Sequence, residues 1–242
     1  MSDKKILLVH GSCHGGWCWD RVLPELAARG ITARAIDLPG HGADRTPPAQ
    51  VTLEGYARAI LAEIDAMGGG PVAALGHSAG GYAISAAANI DPQAIGKLIY
   101  LCAYLPVSGQ SLSQMRAAWP EQPLVPYIRR SADGASFTFD PAQVPALFYH
   151  DCAPEAVAFA KARLCPQPMV PQVTPLTLND AFQGLEKHYI VCAQDRAIPP
   201  EYQRVMAQGL PPGQVSELNA SHSPFLSMPG PLADRIAAIL GA

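Results

Sequence analysis

The chain of 242 residues lacks the features that mark several large functional classes. No apolar stretch reaches the ~18–20 residues of a membrane span, so a membrane protein is not expected. The net charge of −3 comes with no basic stripe and no acidic tail. That leaves no electrostatic footprint for nucleic acid and no sign of a long charged arm. Neither of the glycine motifs that cradle phosphates, G-x-x-x-x-G-K-[ST] and G-x-G-x-x-G, occurs, which argues against nucleotide and dinucleotide sites. Six cysteines (13, 18, 102, 152, 165 and 192) include no C-x-x-C and no Cys/His metal spacing. They read as free thiols in a reducing compartment, with Cys102 and Cys192 as small buried hydrophobes inside apolar runs. The first residues show neither the apolar core nor the cleavage site of a signal peptide, so a cytoplasmic protein is expected.

With 49% hydrophobic residues the chain has ample material for one sizeable core. Apolar, β-rich runs at 5–9, 31–37, 72–75, 97–103, 187–193 and 214–218 alternate with helical patterns at 17–29, 53–67, 82–88, 200–208 and 231–240. Strands separated by single helices imply a mostly parallel sheet of about six strands, covered on both faces. The rhythm breaks over 105–184, where prolines are dense and aromatics recur. A structureless loop of that length is uncommon in a compact domain. The segment reads as a helical lid inserted into a core made of 1–104 and 185–242, lying over the ligand-binding crevice of the sheet.

Gly76-His77-Ser78-Ala79-Gly80 carries the chemistry. The pattern G-x-S-x-G, placed between an apolar strand and a helix-prone run, reads as a nucleophile elbow. Small residues flank the serine because strand and helix must approach closely. A serine hydroxyl is a weak nucleophile and needs a base oriented by an acid. In this fold class the acid and base follow the serine, at the carboxyl ends of later strands. His222, in the loop after the last strand, is the expected base. His188 sits at the wrong end of a strand, and His150 lies in the lid. Asp195, which closes the strand at 187–193, is the expected acid. The alternative position after the strand at 97–103 offers no carboxylate, and Asp37 precedes the serine and is expected to organise its own loop. The oxyanion donors are expected to be the N–H of Ala79 and, from the small-residue loop after the first strand, that of Ser12. His10 is expected to brace that loop. A Cys13–His14 nucleophile pair is disfavoured because adjacent side chains rarely face one another. His14, His77 and the lid aromatics Trp119, Tyr127 and Phe148 are the expected substrate contacts.

The chain also resembles a known family. Leu8-Val9-His10-Gly11-Ser12-Cys13-His14-Gly15-Gly16-Trp17-Cys18-Trp19, Ala35-Ile36-Asp37-Leu38, the elbow with Gly81, Tyr189 through Asp195, Ile198 through Arg204, and Ser221-His222 together span nearly its whole length. These blocks resemble the α/β-hydrolase superfamily, in particular its branch of plant methyl esterases and hydroxynitrile lyases with bacterial esterase relatives. The resemblance implies Ser78, Asp195 and His222 as a triad, a helical lid, no cofactor and, commonly, a homodimer. Two positions depart from the lyase pattern: Gly11 stands where lyases of the branch carry threonine, and Ser223 where they carry a lysine that stabilises departing cyanide. The implied function is therefore a serine carboxylesterase acting on a small hydrophobic or aryl ester, with methyl esters and pyrethroid-like esters as candidates. A hydroxynitrile lyase and a small-molecule receptor of the same fold are the alternatives.

Overall fold

The computed structural model describes residues 4–242; Met1, Ser2 and Asp3, where the signal-peptide reading begins, lie outside the described residues. Its strands, in chain order, are β1 (Lys4–Val9), β2 (Ile31–Ile36), β3 (Val72–His77), β4 (Ile95–Leu101), β5 (Ile128–Arg130), β6 (Ser136–Phe139), β7 (Gln167–Pro168), β8 (Glu186–Cys192) and β9 (Val215–Leu218). Six form one sheet in the order β2-β1-β3-β4-β8-β9, and every pairing in it is parallel.

The central strands are apolar on both faces because both faces are covered. Ile6 and Leu8 of β1 point to one layer, with Trp19, Leu26, Leu232 and Ile236. Leu7 and Val9 point to the other, with the helices Leu53–Ala66 and Gly80–Ile90. Leu53–Ala66 starts at Thr52, whose side chain accepts the Gly55 N–H at 2.9 Å, and buries Leu53, Tyr56, Ala57, Ile60 and Ile64 along one stripe. The helical run at 17–29 is broken: a 3-10 turn spans Gly16–Trp19 and the helix proper is Val22–Ala28. Pro24 explains the break, since proline lacks an N–H and fits only a helix's first turn. No helix among the described residues is long and apolar enough to cross a membrane.

The segment 105–184, expected to form the lid, is not purely helical. It has the helices Leu112–Ala118, Val144–Phe148 and Pro154–Lys161, but also a small antiparallel sheet, β5-β6-β7. The cause is local. The segment Ser136-Phe137-Thr138-Phe139 alternates, with the two phenylalanines buried and Thr138 exposed, which is strand periodicity. Asp133-Gly134 supplies the turn, with the Gly134 N–H bonded to the Ser131 carbonyl at 3.0 Å.

The main sheet brings the ends of β1, β3, β8 and β9 to one rim. Val9 pairs with Gly76, and Cys192 with Leu218. At that rim β3 turns directly into the helix Gly80–Ile90, and a Cβ on Gly76 would lie 2.6 Å from the Gly80 carbonyl carbon and oxygen. Backbone cannot yield as a side chain can. We predict that Gly76→Ala costs about 2 kcal/mol through this overlap and lowers the thermal midpoint by about 4–8 °C. An unchanged midpoint in a circular-dichroism melt would show that strand and helix are not in backbone contact.

Candidate active site

Ser78 sits at the apex of the turn with φ 54°, a left-handed conformation uncommon for any residue but glycine. Its backbone is held from both sides: its N–H donates to the Leu101 carbonyl at 3.1 Å, and its carbonyl accepts from Tyr104 N–H at 3.1 Å and Gly81 N–H at 3.2 Å. The side chain lines a cavity with Ser12, His14, His77, Phe148 and His222.

Asp195 and His222 meet beneath that cavity. The His222 Nδ1–H donates to Asp195 Oδ2 at 2.7 Å, and both side chains are buried. This fixes the tautomer and leaves Nε2 as the ring nitrogen not engaged by the carboxylate. No hydrogen bond joins Ser78 Oγ to His222 among the described residues, although both line the cavity. Such bonds commonly tighten only once substrate is bound.

The Asp195 carboxylate is itself held on all sides. Oδ1 accepts the N–H groups of Ala197 (2.7 Å) and Ile198 (3.0 Å), and Oδ2 also accepts Gln203 Nε2 at 2.9 Å. Gln203 is wholly buried; its Oε1 accepts the Cys192 N–H at 3.0 Å, and its amide also donates to the Ile198 carbonyl. It holds the Asp195 carboxylate in place, and the sequence reading assigned it no role. The available signal was a lone glutamine facing inward on the helix that follows the acid loop.

His222 is held through its backbone as well as its ring. Its carbonyl accepts from His77 Nε2 at 2.8 Å and from the Cys102 thiol at 3.5 Å. The ligand atoms of His77, Cys102 and His222 lie within 4.8 Å of one another. The cysteine is poorly suited to a metal: its thiol donates to the His222 carbonyl, and burial pushes it up, away from the thiolate a metal takes.

The loop after β1 is braced by its histidines. His10 Nε2 accepts the Leu38 N–H at 3.1 Å, while its Nδ1–H donates to the Gly11 carbonyl. His14 Nδ1–H donates to the Ser12 carbonyl at 2.8 Å, and Nε2 accepts the Tyr149 hydroxyl at 2.7 Å. The N–H groups of Ser12 and Ala79 have no acceptor among the described residues. Both residues border the Ser78 cavity. Cys13 and His14 form no pair, since the thiol points to the Phe137 carbonyl and burial pushes it up. Asp37 does organise its own loop, accepting the N–H groups of Gly16 (2.6 Å) and Ala43 (2.8 Å).

Of the expected substrate contacts, His14, His77 and Phe148 line the cavity, and Trp119 and Tyr127 do not. Trp119 stacks on Tyr202 at 4.8 Å and walls an adjoining space. Tyr127, half-buried, packs against the apolar cluster that this segment shares with one face of the main sheet. Their places are taken by Tyr104, Leu112, Leu124, Phe137 and Phe139, with Arg116 and Gln172 as polar neighbours.

Burial holds His14 neutral, with its pKa lowered from 6.5 to about 4, and lowers His10 and His77 well below the usual value. On unfolding each imidazole regains its ordinary pKa and binds a proton below about pH 6.5 that the folded chain does not. Stability is therefore lost as pH falls, by up to about 1.4 kcal/mol per pH unit for each histidine. For His14 this continues until the folded pKa near 4. We predict that the urea midpoint falls clearly between pH 7 and pH 5, above the carboxylate range. An equal or higher midpoint at pH 5 would contradict the neutral, buried state.

Comparison with known proteins points to one family. The model of the alpha/beta hydrolase family matches residues 6–235. A pyrethroid hydrolase from Sphingobium wenxiniae is 34% identical, over 98% of this chain and 88% of its own. Methylesterase 7 of Arabidopsis thaliana is 28% identical over 94% of this chain and 93% of its own. The crystal structure of a pyrethroid hydrolase from Sphingobium faniae superposes with a TM-score of 0.88 at 32% identity, covering 100% of this chain and 98% of that one. A strand-turn-helix with serine at its apex, six parallel strands and a family match over nearly the whole length lead to one conclusion: the chain belongs to the alpha/beta hydrolase family.

Proposed function

We propose that the chain is a serine carboxylesterase acting on hydrophobic or aryl esters through an acyl-enzyme. The observation that carries this reading is the 2.7 Å Asp195–His222 bond beneath a cavity shared with Ser78. Ser78 Oγ attacks the ester carbonyl carbon as His222 Nε2 takes its proton. Asp195 stabilises the resulting imidazolium without itself being protonated. The carbonyl oxygen, now an oxyanion, is received by the Ser12 and Ala79 N–H groups, which have no acceptor among the described residues. The tetrahedral adduct collapses, and His222 returns the proton to the departing alcohol. Water then attacks the acyl-serine by the same route, releasing the acid and restoring the serine. Side chains, backbone donors and water suffice for the cycle.

The wall supports the substrate class. Leu112, Leu124, Phe137, Phe139 and Phe148 give the cavity an apolar lining. Methyl esters and pyrethroid-like esters remain the candidates, consistent with relatives named methylesterase and pyrethroid hydrolase. Cyanohydrin cleavage is disfavoured at two points. A Cβ on Gly11 would lie 2.8 Å from the Ser78 Cβ and from His77 Nδ1, so a threonine would displace the serine itself. Ser223 is buried and carries no charge to receive cyanide.

A panel of p-nitrophenyl esters, aryl methyl esters and mandelonitrile tests the reading with wild type and Ser78→Ala. We expect ester hydrolysis to exceed mandelonitrile cleavage, and Ser78→Ala to lower kcat by at least about 10⁴-fold. Hydrolysis at the wild-type rate in Ser78→Ala would remove the serine mechanism. Mandelonitrile as the best substrate would instead make the chain a lyase.

A further inference from the structure

The cavity at Ser78 has a volume of about 20 Å³, on the scale of a single water and too small for an ester. An ester reaching Ser78 therefore needs more room, from a shift of the lid or from a neighbouring cavity. Two adjoining cavities, one behind the β1 loop and one beside Trp119, offer about 10 Å³ each. A third, in the lid, measures about 190 Å³. For scale, an apolar cavity of ~150 Å³ accepts benzene. By volume, only the lid cavity among these can receive a ring-sized group.

The two spaces share a wall. Phe139 lines both, and Cys13 of the lid cavity lies between Ser12 and His14 of the serine cavity. The partition is a layer of aromatic rings: Phe139 packs on Phe148 at 5.0 Å, and Phe148 lies 5.5 Å from the His222 ring. The lid cavity is also polarised from outside to inside. Its rim residues Thr138, Pro141 and Lys161 are exposed, whereas Cys13, Phe139 and Val144, on the side toward Ser78, are buried. The Phe139 backbone is pinned in β6 opposite Ile128. Phe139 is the one residue common to both linings, which makes its side chain the pivot of the partition.

We propose that the lid cavity is the second lobe of the ester site, joined to Ser78 when the Phe139 ring turns aside. It takes an apolar, ring-sized group remote from the ester carbonyl. The preferred substrate is then a two-lobed hydrophobic ester, with its reacting carbonyl at Ser78 and its distal ring in the lid. Phe139 is the specificity-determining side chain between them. The proposal rests on the esterase reading and adds to it the shape of the substrate.

The experiment compares kcat/KM for p-nitrophenyl 4-phenylbutyrate, which carries a distal ring, with that for p-nitrophenyl acetate, which does not. Leu164→Trp fills the lid cavity from within, and Thr138→Trp plugs it from an exposed position that tolerates bulk. Each should lower the ratio of large to small substrate by about tenfold or more, and Phe139→Ala should raise it by about threefold or more. Thermal melts verify folding, and the rim variant keeps the test decisive if Leu164→Trp does not fold. Ratios within twofold of wild type in folded Thr138→Trp and Phe139→Ala would overturn the second lobe while leaving the esterase reading intact. Acetate hydrolysis that is absent, or unaffected by Ser78→Ala, would overturn both.

Discussion

The structure depends on the close passage between β3 and the helix that follows it. The two elements touch backbone to backbone, which forces the intervening Ser78 to φ 54° and lifts its side chain clear of the sheet. The same turn puts the Ala79 N–H beside the hydroxyl, at the amino end of the helix Gly80–Ile90. Parallel pairing then assembles the rest. Val9 beside Gly76 delivers the loop with Ser12, and Cys192 beside Leu218 delivers Asp195 and His222 from adjacent strands. The constellation is a consequence of sheet register, and no single segment contains it.

Around these groups lies a buried polar shell whose members act through others. Gln203 holds Asp195, and His77 and Cys102 hold the His222 carbonyl. His14 ties the Ser12 carbonyl to the lid through Tyr149. The lid is fastened to the same loops elsewhere: His150 Nε2–H donates to the Gln194 carbonyl at 2.9 Å, and Asp151 accepts the Ser221 N–H at 2.8 Å. Unpaired, such groups would be costly to bury; paired, they fix the loops that carry the chemistry.

Much of this was legible in the sequence because periodicity and strand ends are local signals. Ile6 to Val9 read as a strand buried on both faces, and Asp195 and His222 could be sought at the ends of later strands. What the sequence did not show is contact across the fold. Aromatic character predicts that Trp119 and Tyr127 will be covered but not by what, and Trp119 stacks on Tyr202 outside the Ser78 cavity. Gln203 looked like any polar helix residue, since its partner Asp195 is identified only by the return of the helix Pro200–Ala207 onto the acid loop. The lid hairpin was written locally, in Asp133-Gly134 beside alternating phenylalanines. The density of prolines around it masked the strand period.

In the proposed reaction Ser78 is a nucleophile activated by His222 and Asp195. Intact-protein mass spectrometry after treatment with a fluorophosphonate tests it most directly, because the reagent reports attack by an activated serine whatever the natural substrate. We expect one adduct per chain, mapped to Ser78, with labelling slowed severely in His222→Ala and absent in Ser78→Ala. Labelling at another residue, or at Ser78 with an undiminished rate in His222→Ala, would contradict it.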